Sequence, residues 1–181
     1  DIFDQSRNDS RKYGSRITMN WAKVADLPVD VTAGVDFMND KTFQELAQTG
    51  RKWVPETEFE NWAPYAQLSY QANGLTLSGG LRYEYGKLKA DSFTTLASYG
   101  SVFVEGGEPS FNELLTNLGA VYALNDNWRV FASYSEGFSM PDVGRVLRGI
   151  STPDLSVSSF LDLQPVLADN EEIGVEFNNN A

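Results

Sequence analysis

Val29, Val31, Ala33, Val35 and Phe37 alternate with Asp30, Thr32, Gly34 and Asp36, the two-residue period of a strand with one apolar and one polar face. The same period returns from Leu75. There Leu75, Leu77, Gly79, Leu81, Tyr83 and Tyr85 oppose Thr76, Ser78, Gly80, Arg82, Glu84 and Gly86. Ile17, Met19 and Trp21 oppose Arg16, Thr18 and Asn20, and Ile173, Val175 and Phe177 oppose Glu172, Gly174 and Glu176. Trp62 to Ala72 carries a weaker version, and Leu118 to Leu124 and Trp128 to Phe138 are mixed, with apolar residues on both faces. Helical periodicity is almost absent. The pattern predicts about seven strands. Pro64 falls inside one of them, and because proline cannot donate to a ladder it is expected near a strand end or at a bulge.

The connections alternate in length. Lys23 to Pro28, Asn73-Gly74 and Asn125-Asp126-Asn127 are short, and Asn73-Gly74 is a favoured two-residue hairpin turn. Asn39 to Asn61, Lys87 to Glu113 and Ser139 to Ala168 are long. Tight turns at one end and long loops at the other are the layout of an up-and-down barrel in a membrane. Loops of this length are uncommon in compact soluble domains. Trp21, Tyr70, Tyr122 and Trp128 lie beside the short turns, and Phe37, Trp62, Tyr83, Tyr85 and Phe138 beside the long ones. Two such groups fit aromatic girdles at the two membrane interfaces. The expected fold is all-β: an antiparallel up-and-down meander of about seven strands, part of a larger transmembrane β-barrel.

Composition narrows the chemistry. The 181 residues include no Cys and no His. That excludes a disulfide framework, thiolate or imidazole metal ligation, and a Ser-His-Asp or Cys-His centre. The net charge of −11, with 14 scattered basic residues, argues against a nucleic-acid partner, which needs clustered cations. No basic and apolar leader opens the chain at Asp1, so a signal peptide is not expected. No apolar run approaches the ~18 residues of a spanning helix. A mean hydropathy of −0.34 reads as soluble, but alternating barrel strands keep that mean low.

Leu118-Gly-Ala-Val-Tyr-Ala-Leu-Asn-Asp-Asn-Trp-Arg-Val-Phe-Ala-Ser-Tyr-Ser-Glu-Gly-Phe138 resembles a hairpin of TonB-dependent siderophore receptors. Ser139-Met140-Pro141-Asp142 resembles the start of the loop that follows it in that family. Ala168-Asp-Asn-Glu-Glu-Ile-Gly-Val175 is similar to the next family strand, and Trp62 to Gln67 with Gly80 to Glu84 to an upstream hairpin. The resemblance covers roughly residues 60–178, with four motifs in the family's order. It implies a barrel of about 22 strands with a plugged lumen, in the outer membrane of a Gram-negative bacterium. About seven strands are accounted for here, so residues 1–181 are expected to be an internal piece of that barrel. The plug, the TonB-engaging segment and the terminal strand would lie elsewhere. The implied partners are a ferric siderophore as cargo, the TonB complex acting through the plug, and membrane lipid and lipopolysaccharide. No resident cofactor or metal and no enzymatic step are implied.

The resemblance places cargo contacts on the long loops and the upper barrel wall. Arg145 and Arg148 could hold an anionic siderophore with guanidinium forks; pairing with Asp142 or with lipopolysaccharide phosphate is the alternative. Trp53, Tyr99 and Phe103 could stack on a ligand, or pack within their loops. Arg82 and Glu84 face the expected lumen and should pair with neighbours or the plug. Asp169, Glu171 and Glu172 lack the spacing of a calcium loop and read as solvated charge. Rival functions are a receptor for haem, cobalamin or a sugar, a passive barrel, and a soluble all-β binding module. The absence of His lowers haem. The soluble module would need a second layer over its apolar face.

Overall fold

The computed structural model describes residues 5–139, 147, 150–151, 156–160 and 166–179. Seven long strands form one sheet: β1 (Ser6–Trp21), β2 (Val29–Leu46), β3 (Lys52–Ala72), β4 (Leu75–Ala90), β7 (Ser110–Ala123), β8 (Trp128–Ser139) and β9 (Val166–Phe177). They pair in chain order, each antiparallel to the next. A small hairpin, β5 (Phe93–Thr94) with β6 (Phe103–Val104), sits in the β4–β7 connection, and a single helical turn, α1 (Val157–Phe160), in the β8–β9 connection.

The short turns form as their residues dictate. Asn73 and Gly74 both adopt positive φ, 51° and 77°, as a mirror-image hairpin turn requires. The Asn125 side-chain oxygen accepts the N–H of Asn127 and of Trp128, each at 3.0 Å, closing the next turn from inside. Asp30 accepts the Lys23 N–H at 2.9 Å and holds the first.

Register turns the alternation into two continuous faces. Val29, Tyr70, Leu77, Ala120, Ala132 and Ile173 are successive cross-strand partners, forming an apolar row across the sheet. Leu68, Leu81, Leu118, Tyr122, Val175 and Phe177 are on the same face, and all stand more than a third exposed. The opposite face has an equally continuous row of small polar groups: Asn20, Thr32, Gln67, Gly80, Asn117, Ser135 and Asn170. A sheet with a bare apolar face and a wet second face suits lipid outside and water inside.

Two of the expected long loops are largely strand. β2 runs on to Leu46 and β3 starts at Lys52, so the Asn39–Asn61 connection is a ladder closed by a short turn. The Lys87–Glu113 loop shrinks to residues 91–109. Beyond the aromatic ring the strands leave the lipid, so they need no apolar alternation there, although Phe59, Leu88 and Ala90 still pack beneath the loops. Cross-strand pairs such as Lys41–Glu58 at 3.0 Å and Lys12–Asp40 at 3.4 Å flank the backbone bonds instead. Pro64 is also not where proline was expected. It lies inside β3, opposite Val35, and the β3–β4 ladder is interrupted in register between Trp62–Tyr85 and Tyr65–Arg82. The missing N–H costs a local gap and neither a strand end nor a bulge.

A compact apolar core lies at the long-loop end. Leu88, Ala90, Phe93, Val104, Leu147, Ile150 and Val157 are buried together, with Phe59 against them. It joins the β4–β7 and β8–β9 connections. The Val157 N–H donates to the Glu105 carbonyl at 2.8 Å.

Candidate functional site on the polar face

The upper half of the polar face carries a cross-strand charge network. Asp36 on β2 is its hub. Arg16 on β1 donates to both Asp36 oxygens, at 2.6 and 2.7 Å, and Arg82 on β4 donates to one of them at 2.7 Å. Arg82 also donates to Glu84 at 2.5 Å, and Glu84 accepts from the Asn61 amide at 2.9 Å. Four strands are thereby stitched by charge-assisted bonds. The Arg82 guanidinium lies 5.7 Å from the centre of the Tyr65 ring, within cation–π range. The Tyr65 hydroxyl shares a hydrogen bond of 2.6 Å with Thr18.

Glycines opposite aromatic residues keep this wall thin. Tyr65 lies across Gly34, Phe111 across Gly86 and Phe131 across Gly174, so that a Cβ at any of the three glycines would collide with the ring. Rings laid flat over glycine cover its bare backbone and leave the lumen unobstructed. Above the charges, Phe59, Phe111 and Phe138 form a stack, with ring centres 6.0 and 5.4 Å apart. Phe138 therefore leaves the outer aromatic belt in which it was expected. Its ring is taken up by Phe111, whose side chain shares the polar face with Gly86. An open cavity of about 650 Å³ lies between the network and the stack, lined by Lys12, Arg16, Asp36, Asn61, Arg82 and Phe138 among others.

On the outer side, above the belt, a second charged strip begins. The Trp62 indole donates to Glu60 at 2.8 Å. Asn39, almost fully buried, donates to Glu58 at 2.8 Å. That bond, with Lys41 beside it, holds the Glu58 carboxyl below the usual range, and Glu58 in turn raises Lys41. Lys87 and Glu108 act on each other in the same directions.

The loop candidates are not brought together into one cluster. Trp53 is half-buried at the start of β3. Tyr99 is 39% exposed in a short 3-10 turn (Ala97–Tyr99), and Phe103 is exposed on β6. Arg145 and Arg148, with Asp142, lie outside the described residues. Arg82 and Glu84 pair with neighbouring strands, as expected from their face. Asp169, Glu171 and Glu172 stand exposed on β9. Among the described residues no group of carboxylates is placed to hold a metal. Sequence reasoning missed Asp36 as the hub. Its signal was its place on the polar face, opposite Arg16 once the first turn is counted.

Comparison with known proteins now defines the class. The family model described as "TonB dependent receptor-like, beta-barrel" matches residues 2–181, and the chain belongs to that family. It is 28% identical to the ferric aerobactin receptor of Klebsiella pneumoniae and 27% identical to that of Escherichia coli, in each case over 98% of the chain and 29% of the relative. The rhizobactin receptor of Rhizobium meliloti (strain 1021) is 30% identical over 55% of the chain and 14% of the relative. The chain thus spans under a third of the length of these relatives. Among solved structures it resembles the copper transporter OprC, with TM-score 0.76 and 18% identity over 97% of the chain and 29% of that one. It also resembles the ferric-catecholate import receptor Fiu of E. coli K12, with TM-score 0.70 and 17% identity over 96% and 29%. At these identities the structural likeness establishes the fold.

Proposed function

We propose that this chain is part of the barrel wall of an outer-membrane receptor that takes up ferric siderophore complexes with energy from TonB. The observation that carries the reading is the match, along nearly the whole chain, to receptors named for ferric aerobactin. The sheet agrees with it. Its edges β1 and β9 each have one neighbour, and in lipid an unpaired edge is not tolerated. Further strands, and a plug resting on the polar face, belong to the complete protein in this reading. The wall performs no covalent chemistry. It supplies a lipid-compatible exterior, a hydrated interior and outer loops that meet the cargo. Tyr99 and Trp53, with Arg145 and Arg148, are the loop residues proposed to touch it.

The test is uptake of radioactive iron by Gram-negative cells expressing the full-length receptor. Ferric aerobactin, other siderophores, haem and cobalamin are offered with and without working TonB. Uptake of ferric aerobactin or a related complex that disappears without TonB is the expected result. TonB-independent entry would make the protein a passive barrel. Uptake of haem or cobalamin alone would replace the cargo.

A further inference from the structure

The cations of the inner wall are not all spent on each other. The cavity between the charge network and the phenylalanine stack is lined by Lys12, Arg16 and Arg82 against Asp36 and Glu84. That is three cations to two carboxylates, in a chain whose carboxylates outnumber its cations 25 to 14. Arg82 divides its guanidinium between Asp36 and Glu84. Arg16 gives Asp36 only its Nε and one terminal nitrogen. Among the described residues its other terminal nitrogen donates to nothing, and the side chain is 67% exposed. Lys12 lies on the same face of β1, nearer the loop end. It meets Asp40 at 3.4 Å and is 59% exposed. Gly14 stands between the two cations and also lines the cavity, so no side chain fills the space between them. The loop core closes over β4, where Leu88 and Ala90 are buried, and leaves Lys12 and Arg16 open.

We infer that Lys12 and Arg16 are cargo-binding residues of the inner wall, and that they select an anionic ferric complex carrying two carboxylate arms. Their spacing sets the number of arms. Four strand residues separate them, about 13 Å along the backbone, which suits two acid groups on one ligand better than one group shared. Arg16 is also prepared for the task. Asp36 has already fixed its guanidinium, so the bond to a ligand carboxylate costs little further ordering. Charge is not the whole fit. Met38, Phe59 and Phe138 line the same cavity and offer apolar surface to the carbon backbone of the ligand. The inference rests on the siderophore-receptor reading and adds to it the charge of the cargo and the wall residues that recognise it.

Fluorescence titration of the full-length receptor in detergent tests it. The probes are ferric aerobactin with its carboxylates free and the same complex with those carboxylates capped as amides. Lys12→Gln should weaken binding of the free-acid complex roughly ten-fold, the effect of losing one hydrogen bond to a charged group. Lys12→Arg, which keeps the charge, should stay near wild type. Arg16→Gln should act like Lys12→Gln, and Arg16→Lys should lose less. Lys89→Gln, on the opposite face of the sheet beside Glu58, should change nothing. The capped complex should bind wild type more weakly than the free acid, and should bind wild type and Lys12→Gln alike. Equal losses on the two complexes would mean that the cations merely hold the wall or the plug, and that outcome overturns the inference. So does unchanged binding of the free acid by Lys12→Gln in a receptor that still imports it, a result that leaves the siderophore reading intact. If no ferric complex is bound or imported, that reading falls and the inference falls with it.

Discussion

Asp36 shows how much one side chain can hold when register brings two further strands to it. It satisfies two guanidinium groups that face the lumen from β1 and β4. Removing it as Asp36→Ala leaves Arg16 without its bidentate partner and Arg82 with Glu84 alone. The expected loss is about 1–3 kcal/mol, the range for hydrogen bonds to charged groups, discounted for the solvent that reaches Arg16. Urea unfolding of the full-length barrel in detergent measures it, and Arg82→Ala in the Asp36→Ala background should cost less than it does alone. Gly86 makes a different residue-scale case. Its missing Cβ is where the Phe111 ring lies, so Gly86→Ala must push the ring off the wall and disturb the Phe59–Phe111–Phe138 stack. Overpacking of this kind costs about 1–3 kcal/mol. Phe111→Leu should recover part of it in the same unfolding assay.

At the scale of elements, the seven strands, their order and the alternation of turns were legible, because lipid on one side and water on the other write a period of two into each spanning segment. The strand extensions were not. From Asn39 to Leu46 and from Lys52 to Asn61 both faces are polar or mixed, and a ladder held by pairs such as Lys41–Glu58 leaves no hydrophobic period to read. Arg82 and Glu84 could be placed on the inner face from alternation alone. Their junction with Asp36, Arg16 and Asn61 needed the register, which depends on the length of every turn between. The extension also has a pH signature. Glu58 is held below its ordinary value of 4.5 and Lys41 above 10.5. The first contribution is complete above about pH 4.5 and fades as pH falls through the lowered value; the second is complete below about pH 10.5 and fades as pH rises. Amide protection in residues 39–58, taken relative to the intrinsic exchange rate at each pH, should therefore be greatest between those limits and fall at both ends. A flat profile would mean that backbone bonds alone hold the extension. The loop core makes a sharper claim. Val104 is fully buried among Leu147, Ile150 and Val157, so Val104→Asp buries an unpaired charge. Limited proteolysis of the folded receptor should then cut the 91–109 connection, where wild type resists.

The whole sheet is an interface between two solvents, and that gives the test separating a membrane wall from a soluble sheet covered by another layer. Leu118 is 61% exposed on the apolar face, midway between the Asn125–Asn127 turn and the upper end of β7. Gln67 lies on the opposite face, within the continuous polar row. In a bilayer, arginine at the midplane of the lipid-facing side costs about 2–4 kcal/mol, whereas lumen positions accept charge. Leu118→Arg should therefore reduce folding of the full-length receptor into lipid vesicles, and Gln67→Arg should leave it near wild type. The asymmetry should vanish in the unfolded chain, where both arginines meet water. Were the apolar face packed against a second protein layer instead, Leu118→Arg would harm folding in lipid-free buffer as well, and the wild-type chain would fold there without detergent. Folding of wild type that requires lipid or detergent, together with a penalty confined to the apolar face, ties the alternation at Leu75–Tyr85 and Val29–Phe37 to the membrane that produced it.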